Sequence, residues 1–263
     1  MTANNPEHLT PDEVREITRV LNSADDVFIV GGQALNLWAD RYSAHDDELK
    51  AAGPFTSKDV DYFGYLDAAR KLAEHFGGTV NIPEPGDATP NSAVVVIEIN
   101  GKVAVIDFIN SLLGFTNSDY AKIKEGVVDL IVPVQTTDGI AEIHLPVMSP
   151  LHCLISRVAN VLHPATLRSD DTAIRQLKAA PRVLIAYIDE ALREGVWKEA
   201  KIAFQSLFQY LRSNEFGRVV HTKTDIDPLK VLEVFADDPR IDKRYRKYNL
   251  KRMIEEIQER RKA

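Results

Sequence analysis

Hydrophobic positions along the chain change their period once, near residue 148. Upstream, short runs rich in Val, Ile and Phe alternate with helical stretches; downstream, apolar residues recur almost only at helical spacing. "HLTPDEVREITRVLNSA" opens with a helix start: Thr10 suits the N-cap, Pro11 the first helical position and Glu13 the third place of a capping box. "DDVFIV" is a short apolar run ending at Gly31-Gly32 and reads as a buried strand. "QALNLWADRY" follows with Ala34, Leu37 and Trp38 at helical spacing. "RYSAHDDELKAAGPFTS" is polar and reads as a loop or a short inserted helix. "KDVDYFG" reads as a second strand, and "YLDAARKLAEHFGG" as a helix stopped by Gly77-Gly78. "SAVVVIEI" and "KVAVIDFI" flank Asn100-Gly101. That pair between two β-branched runs predicts a tight hairpin, because both turn positions need positive φ. "VVDLIVPVQ" and "AEIHLPV" add strands.

Beyond residue 148 the helical period takes over. "SPLHCLISRVANVLH" places Leu151, Leu154, Ile155, Val158 and Leu162 on one face, with Ser149 at the cap and Pro150 at the first position. Two to four further helices are expected. One carries Phe204, Leu207, Phe208 and Leu211 at i, i+3, i+4 and i+7, and a last, mostly charged one begins near Asp242 and is expected on the surface. The fold class is α+β: a mixed β-sheet with flanking helices in 1–147, followed by a C-terminal α-helical domain in 148–263.

Charge and cysteine content narrow the chemistry. A net charge of −7 argues against broad nucleic-acid binding, but leaves room for a small basic site or for a nucleotide held through metal ions. "DKRYRKYNLKR" near the C-terminus is the one basic cluster that suits phosphates; its ordinary role is a solvated helix face. Cys153 is the only cysteine, so no internal disulfide forms, and no Cys/His spacing suits zinc. The N-terminus lacks a basic start and an apolar core, and no apolar run is long enough to span a bilayer. A cytoplasmic protein with no membrane partner is the expectation.

Three features carry candidate chemistry. In "SKDVDYFG", Asp59 and Asp61 are two apart on a strand and so share a face. Such a pair is either a solvated edge or the holder of a cation, and two divalent ions clamp the attacking and leaving oxygens of a phosphoryl transfer. Asp107 lies inside "VAVIDFIN" on the face of Val103, Val105 and Ile109. A carboxylate in so apolar a strand is costly unless it is paired, metal-bound or turned outward. "FIVGGQAL" is strand, two glycines, helix: either a tight connection, or a cradle where a phosphate meets the main chain and a helix N-terminus.

Taken in order, strand, Gly-Gly, helix, Asp-x-Asp strand and a hairpin carrying one more Asp, the chain resembles the nucleotidyltransferase superfamily of the DNA polymerase β type. "VGGQALNLWADRY" and "TSKDVDYFG" look most like its minimal bacterial branch, which includes AbiEii-type toxins. The resemblance covers about residues 25–110 with motif support, with Gly32 standing where the superfamily has a serine. It implies a nucleotidyltransferase-like sheet and transfer of an NMP from an NTP such as ATP to an acceptor hydroxyl, with release of pyrophosphate. It further implies Gly31 and Gly32 at the triphosphate, and Asp59, Asp61 and Asp107 as catalytic ligands of two Mg²⁺ (or Mn²⁺) ions. Arg157 suits a triphosphate contact or a helix surface, and Lys58 a nucleotide contact or a solvated strand position. The implied acceptor is RNA, a protein or a small molecule, and a cognate antitoxin is an implied partner. The alternatives are the same fold kept as a non-catalytic binding module of a toxin–antitoxin pair, a glycosyltransferase holding Mn²⁺ at Asp-x-Asp, or a structural protein.

Overall fold

The computed structural model describes residues 11–21, 27–53, 60–84, 86–87, 89–136, 139–164 and 169–262. The chain forms two compact units, one of Met1–Asn36 and Thr56–Ser149, the other of Leu37–Phe55 and Pro150–Ala263. Thr10, Lys58 and Asp59 lie outside the described residues.

Elements run along the chain as α1 (Pro11–Leu21), β1 (Phe28–Ile29), α2 (Gly31–Ser43), α3 (Asp47–Ala52), β2 (Val60–Phe63), α4 (Leu66–Phe76), β3 (Thr79–Asn81), β4 (Asn91–Ile99) and β5 (Lys102–Ile109). Then come α5 (Tyr120–Glu125), β6 (Val128–Thr136), β7 (Gly139–Val147), α6 (Pro150–Leu162), α7 (Asp171–Arg193), α8 (Trp197–Ser213), α9 (Glu215–Lys223), α10 (Leu229–Val234), α11 (Lys243–Tyr245) and α12 (Lys251–Arg260).

The first unit is built on a 7-stranded mixed sheet in the order β3-β4-β5-β2-β1-β7-β6. The β4–β5 hairpin is the one Asn100-Gly101 predicts. Asn100 and Gly101 take φ of 51° and 77°, both left-handed, and Ile99 pairs with Lys102 across the turn. β2 runs parallel to β5 and antiparallel to β1, and β1 runs parallel to β7. Burial alternates cleanly. Ala93, Val95, Ile97 and Ile99 of β4, with Ala104, Ile106 and Phe108 of β5, are fully buried, whereas Val94, Val96, Val103, Val105, Asp107 and Ile109 are half-buried. One face of the central strands is therefore core and the other is more open. Tyr62 of β2 belongs to the core face, stacked 6.1 Å from Phe108, with its hydroxyl toward Thr18 of α1. Toward the ends of β1 and β2, Phe28 and Phe63 are register partners and stack at 5.0 Å.

The second unit is helical. α7 starts under an Asp170 cap that accepts from the Ala173 N–H, and runs 23 residues through a buried Pro181. Phe204, Leu207 and Leu211 of α8 are buried as their spacing predicts, and Phe204 meets Phe235 at 5.5 Å. More helices follow α6 than expected. The charged C-terminal stretch is amphipathic rather than purely surface: Leu250, Ile254 and Ile257 are buried, and Arg261 pairs with Asp227 through two 2.8 Å bonds.

Residues 37–55, expected inside the 1–147 domain, pack with the helical unit instead. Arg41 and Tyr42 of α2 both bond Glu190 of α7, at 2.8 and 2.6 Å, and Trp38 meets Tyr187 edge-on at 5.7 Å. Asp46 caps α3 and receives Arg182, which also pairs with Glu48. The polar stretch thus contains a short helix, and its charges serve α7.

Candidate active site

Four neighbouring strands bring the site together. β1 leads through Val30 to Gly31, which opens α2 with φ +67°. The Val30 N–H donates to the Asp61 carbonyl at 2.9 Å, locking the glycine turn beside β2. A Cβ on Gly31 would stand 2.7 Å from Asp61 Oδ2, so the carboxylate occupies the space a side chain would take. Glycine is needed twice over, for the left-handed backbone and for that close approach. Gly32 continues the first turn of α2, where backbone N–H groups have no partner within their own helix and carry partial positive charge. A carboxylate beside such a turn is favourably placed.

Asp61 and Asp107 are direct register partners on the parallel strands β2 and β5. Partners in register point to the same face, and adjacent strands lie about 4.8 Å apart. Both residues are half-buried, on the more open face of the sheet. Like charges so close raise each other's cost unless donors or cations offset them. Asn91 at the start of β4 gives its Nδ2–H to Asp107 Oδ1 at 3.2 Å. Sequence reading missed Asn91. The signal was available in the hairpin, whose register returns the start of β4 to the end of β5 beside Asp107.

The structure thus places Gly31, Asp61 and Asp107 close together, with Asn91 beside Asp107. Among the described residues no group of three or more His, Cys, Asp or Glu side chains is arranged to hold a metal. The third acid of the expected set, Asp59, lies outside those residues, as does Lys58. What the geometry does supply is two acidic oxygen donors side by side on an open face, a donor set that suits a hard divalent cation.

Arg157 belongs to the helical unit. It is buried in α6, where Nη1 donates to Gln176 Oε1 at 3.0 Å and Nη2 to Ser156 Oγ at 3.2 Å. Asn160, with its carbonyl oxygen turned to the guanidinium, accepts from Nη1 at 3.2 Å and Nη2 at 2.7 Å. Cys153, one turn away, is buried, and burial pushes its thiol up to about 12. It is an inert core residue.

Fold and site together define an α+β protein with a carboxylate pair beside a glycine-opened helix. No protein-family model and no curated protein matches the chain. Among solved structures it is similar to the solution structure of the antibiotic-resistance factor ANT(2'')-Ia, at 16% identity over 72% of this chain and 94% of that one, with a TM-score of 0.37. A likeness that loose carries no conclusion about activity. Among the described residues no helix is long and apolar enough to cross a membrane.

Proposed function

We propose that the protein is a metal-dependent nucleotidyltransferase, moving an NMP from an NTP to an acceptor hydroxyl. The observation that carries this reading is the grouping of Asp61 and Asp107, register partners on β2 and β5, with Gly31 at the turn between β1 and α2 against Asp61. The resemblance drawn from the sequence gives these residues their roles. The triphosphate sits against Gly31-Gly32 and the N-terminus of α2, whose N–H groups meet its charge. Asp61 and Asp107, with Asp59, would hold Mg²⁺ or Mn²⁺, which when bound neutralises phosphate charge. Asp107 orients the acceptor hydroxyl and takes its proton. The acceptor oxygen bonds to the α-phosphorus, the bond to the bridging oxygen breaks, and pyrophosphate leaves. Lys58 is proposed as a further phosphate contact; Arg157 is bonded within the helical unit to Gln176, Ser156 and Asn160 and is given no part in it. The AbiEii-type resemblance adds a toxin role with a cognate antitoxin.

The test is Mg²⁺-dependent binding of the four NTPs, by calorimetry, to the wild type and to Asp61→Asn. Binding that is lost in the variant supports the reading. Binding that is absent from the wild type, or indifferent to Asp61, refutes it.

A further inference from the structure

The turn that opens α2 gathers donors that the protein itself leaves unused. Val30 caps the helix, since its carbonyl accepts the first helical bond, from the Ala34 N–H at 3.2 Å. Gly31, Gly32 and Gln33 are therefore the first three helical residues. Among the described residues, no acceptor takes their main-chain N–H groups. A glutamine at the third helical position ordinarily reaches back to the N–H of the capping residue. Here that N–H is already given to the Asp61 carbonyl, at 2.9 Å. The strand has taken the local partner of Gln33, and its carboxamide makes no hydrogen bond among the described residues.

We propose that the Gln33 amino group grips the triphosphate of the NTP, adding a side-chain donor to the main-chain N–H groups of the same turn; the inference rests on the nucleotidyltransferase reading above. Burial orients the group. Gln33 is half-buried, and its Oε1 is shut off from solvent with no donor beside it. With the oxygen turned inward, Nε2 is the accessible end, and it carries two N–H donors. Position aims it. Helical side chains lean toward the N-terminus of their helix, so a residue at the third position covers the turn before it. That turn is Val30 to Gly32, against Asp61.

Chemistry argues for phosphate as the acceptor of those bonds. Two glycines let an anion approach the main chain closely but bring no side chain to it. Gln33 is the first residue of α2 that has a side chain, and the accessible end of that side chain is a donor. A phosphate oxygen only accepts, and a hydrogen bond to an ionised group is stronger than one between neutral groups. In the proposed reaction the acids of β2 and β5 act at the α-phosphate, which leaves the β- and γ-phosphates to the mouth of the helix and to Gln33.

The test is calorimetry on the full chain with Mg²⁺ and the NTP that the wild type binds best, and then with the NMP of the same base. Gln33→Met keeps the length of the side chain and its helix propensity but removes the donor. Gln33→Lys keeps a donor. Gln33 makes no side-chain hydrogen bond among the described residues, so neither substitution breaks one there, and both variants should fold. The expected result is that Gln33→Met weakens Mg·NTP binding about tenfold to 150-fold, the range for a hydrogen bond to a charged group, and that Gln33→Lys recovers it. The loss should shrink with the NMP, which lacks the β- and γ-phosphates. Wild-type affinity in Gln33→Met would overturn the contact. So would an equal loss in both variants for NTP and NMP alike, the mark of a packing role. In either case, Mg·NTP binding that is lost in Asp61→Asn would still support the nucleotidyltransferase reading. Absence of Mg·NTP binding in the wild type overturns that reading and the role of Gln33 with it.

Discussion

Gly31→Ala probes the tightest contact of the site. Two costs should appear. The first is conformational: alanine at φ +67° pays the left-handed penalty, about 1–2 kcal/mol. The second is steric: the new Cβ would lie 2.7 Å from Asp61 Oδ2, with the Asp61 Cβ at an ordinary 3.6 Å. The offending atom is thus the tip of a side chain, and removing it should relieve the second cost but not the first. A double-mutant cycle separates them. Gly31→Ala should cost more in the wild-type background than in Asp61→Ala, where only the backbone penalty remains. The coupling should fall in the range of about 0.5–3 kcal/mol found for touching residues.

The assay is urea unfolding of the four proteins, followed by a probe of the sheet unit, because two units need not unfold as one. Equal costs of Gly31→Ala in both backgrounds would refute the close approach of Asp61 to the turn. Activity offers a second readout. A carboxylate pushed aside by a fraction of an ångström to 1 Å loses its alignment, and misplacement on that scale costs up to about 100-fold in rate. If transfer is detected, Gly31→Ala should lower kcat more than its stability cost explains.

Three further outcomes follow from the same structure. Asp107→Asn should abolish transfer and leave the unfolding midpoint of the sheet unit nearly unchanged; wild-type turnover would remove Asp107 from the chemistry. Gly101→Ala, with φ +77° and open space around it, should cost only the backbone penalty of about 1–2 kcal/mol in urea unfolding, and a much larger loss would mean the hairpin turn is wrong. Burial alone would raise the Asp227 carboxyl, but its bonds from Arg261 and from the Leu229 N–H hold it below its ordinary 3.8. A carboxyl lowered on folding stabilises above its unfolded pKa and loses that stabilisation as pH falls through the folded one. Arg261→Met should therefore destabilise the helical unit by about 1.5–3 kcal/mol at pH 7 and by less in acid, once the Asp227 carboxyl is protonated, and an equal loss under both conditions would rule out the ion pair as the cause.

Local signals were legible in the sequence and distant ones were not. Asn100-Gly101 predicted its hairpin because the turn's need for positive φ is written in two adjacent residues. The parity of Asp107 with Val103, Val105 and Ile109 was also readable, since alternation is local. β3, at three residues, and α5, at six, were too short for a period to declare itself. The affiliation of residues 37–55 was hidden for a different reason. Their partners Arg182, Tyr187 and Glu190 come more than 130 residues later, and a polar segment reads as a loop until those partners are known. The side-by-side placement of Asp61 and Asp107 depends likewise on a parallel pairing between strands separated by a helix and two further strands.

What fixes that pairing is not the acids. A one-residue slip of β5 against β2 would carry Ala104, Ile106 and Phe108 to the more open face and bury Asp107 in the core. The apolar residues enforce the register, the Tyr62–Phe108 stack across the pair among them. The carboxylates are placed by their neighbours and contribute little to holding themselves in place. A pair of residues that the fold positions firmly, yet does not need, is the arrangement expected of a site kept for its chemistry. Substituting either acid should therefore leave the sheet in register, and it is this independence that makes Asp61→Asn and Asp107→Asn tests of function rather than of folding.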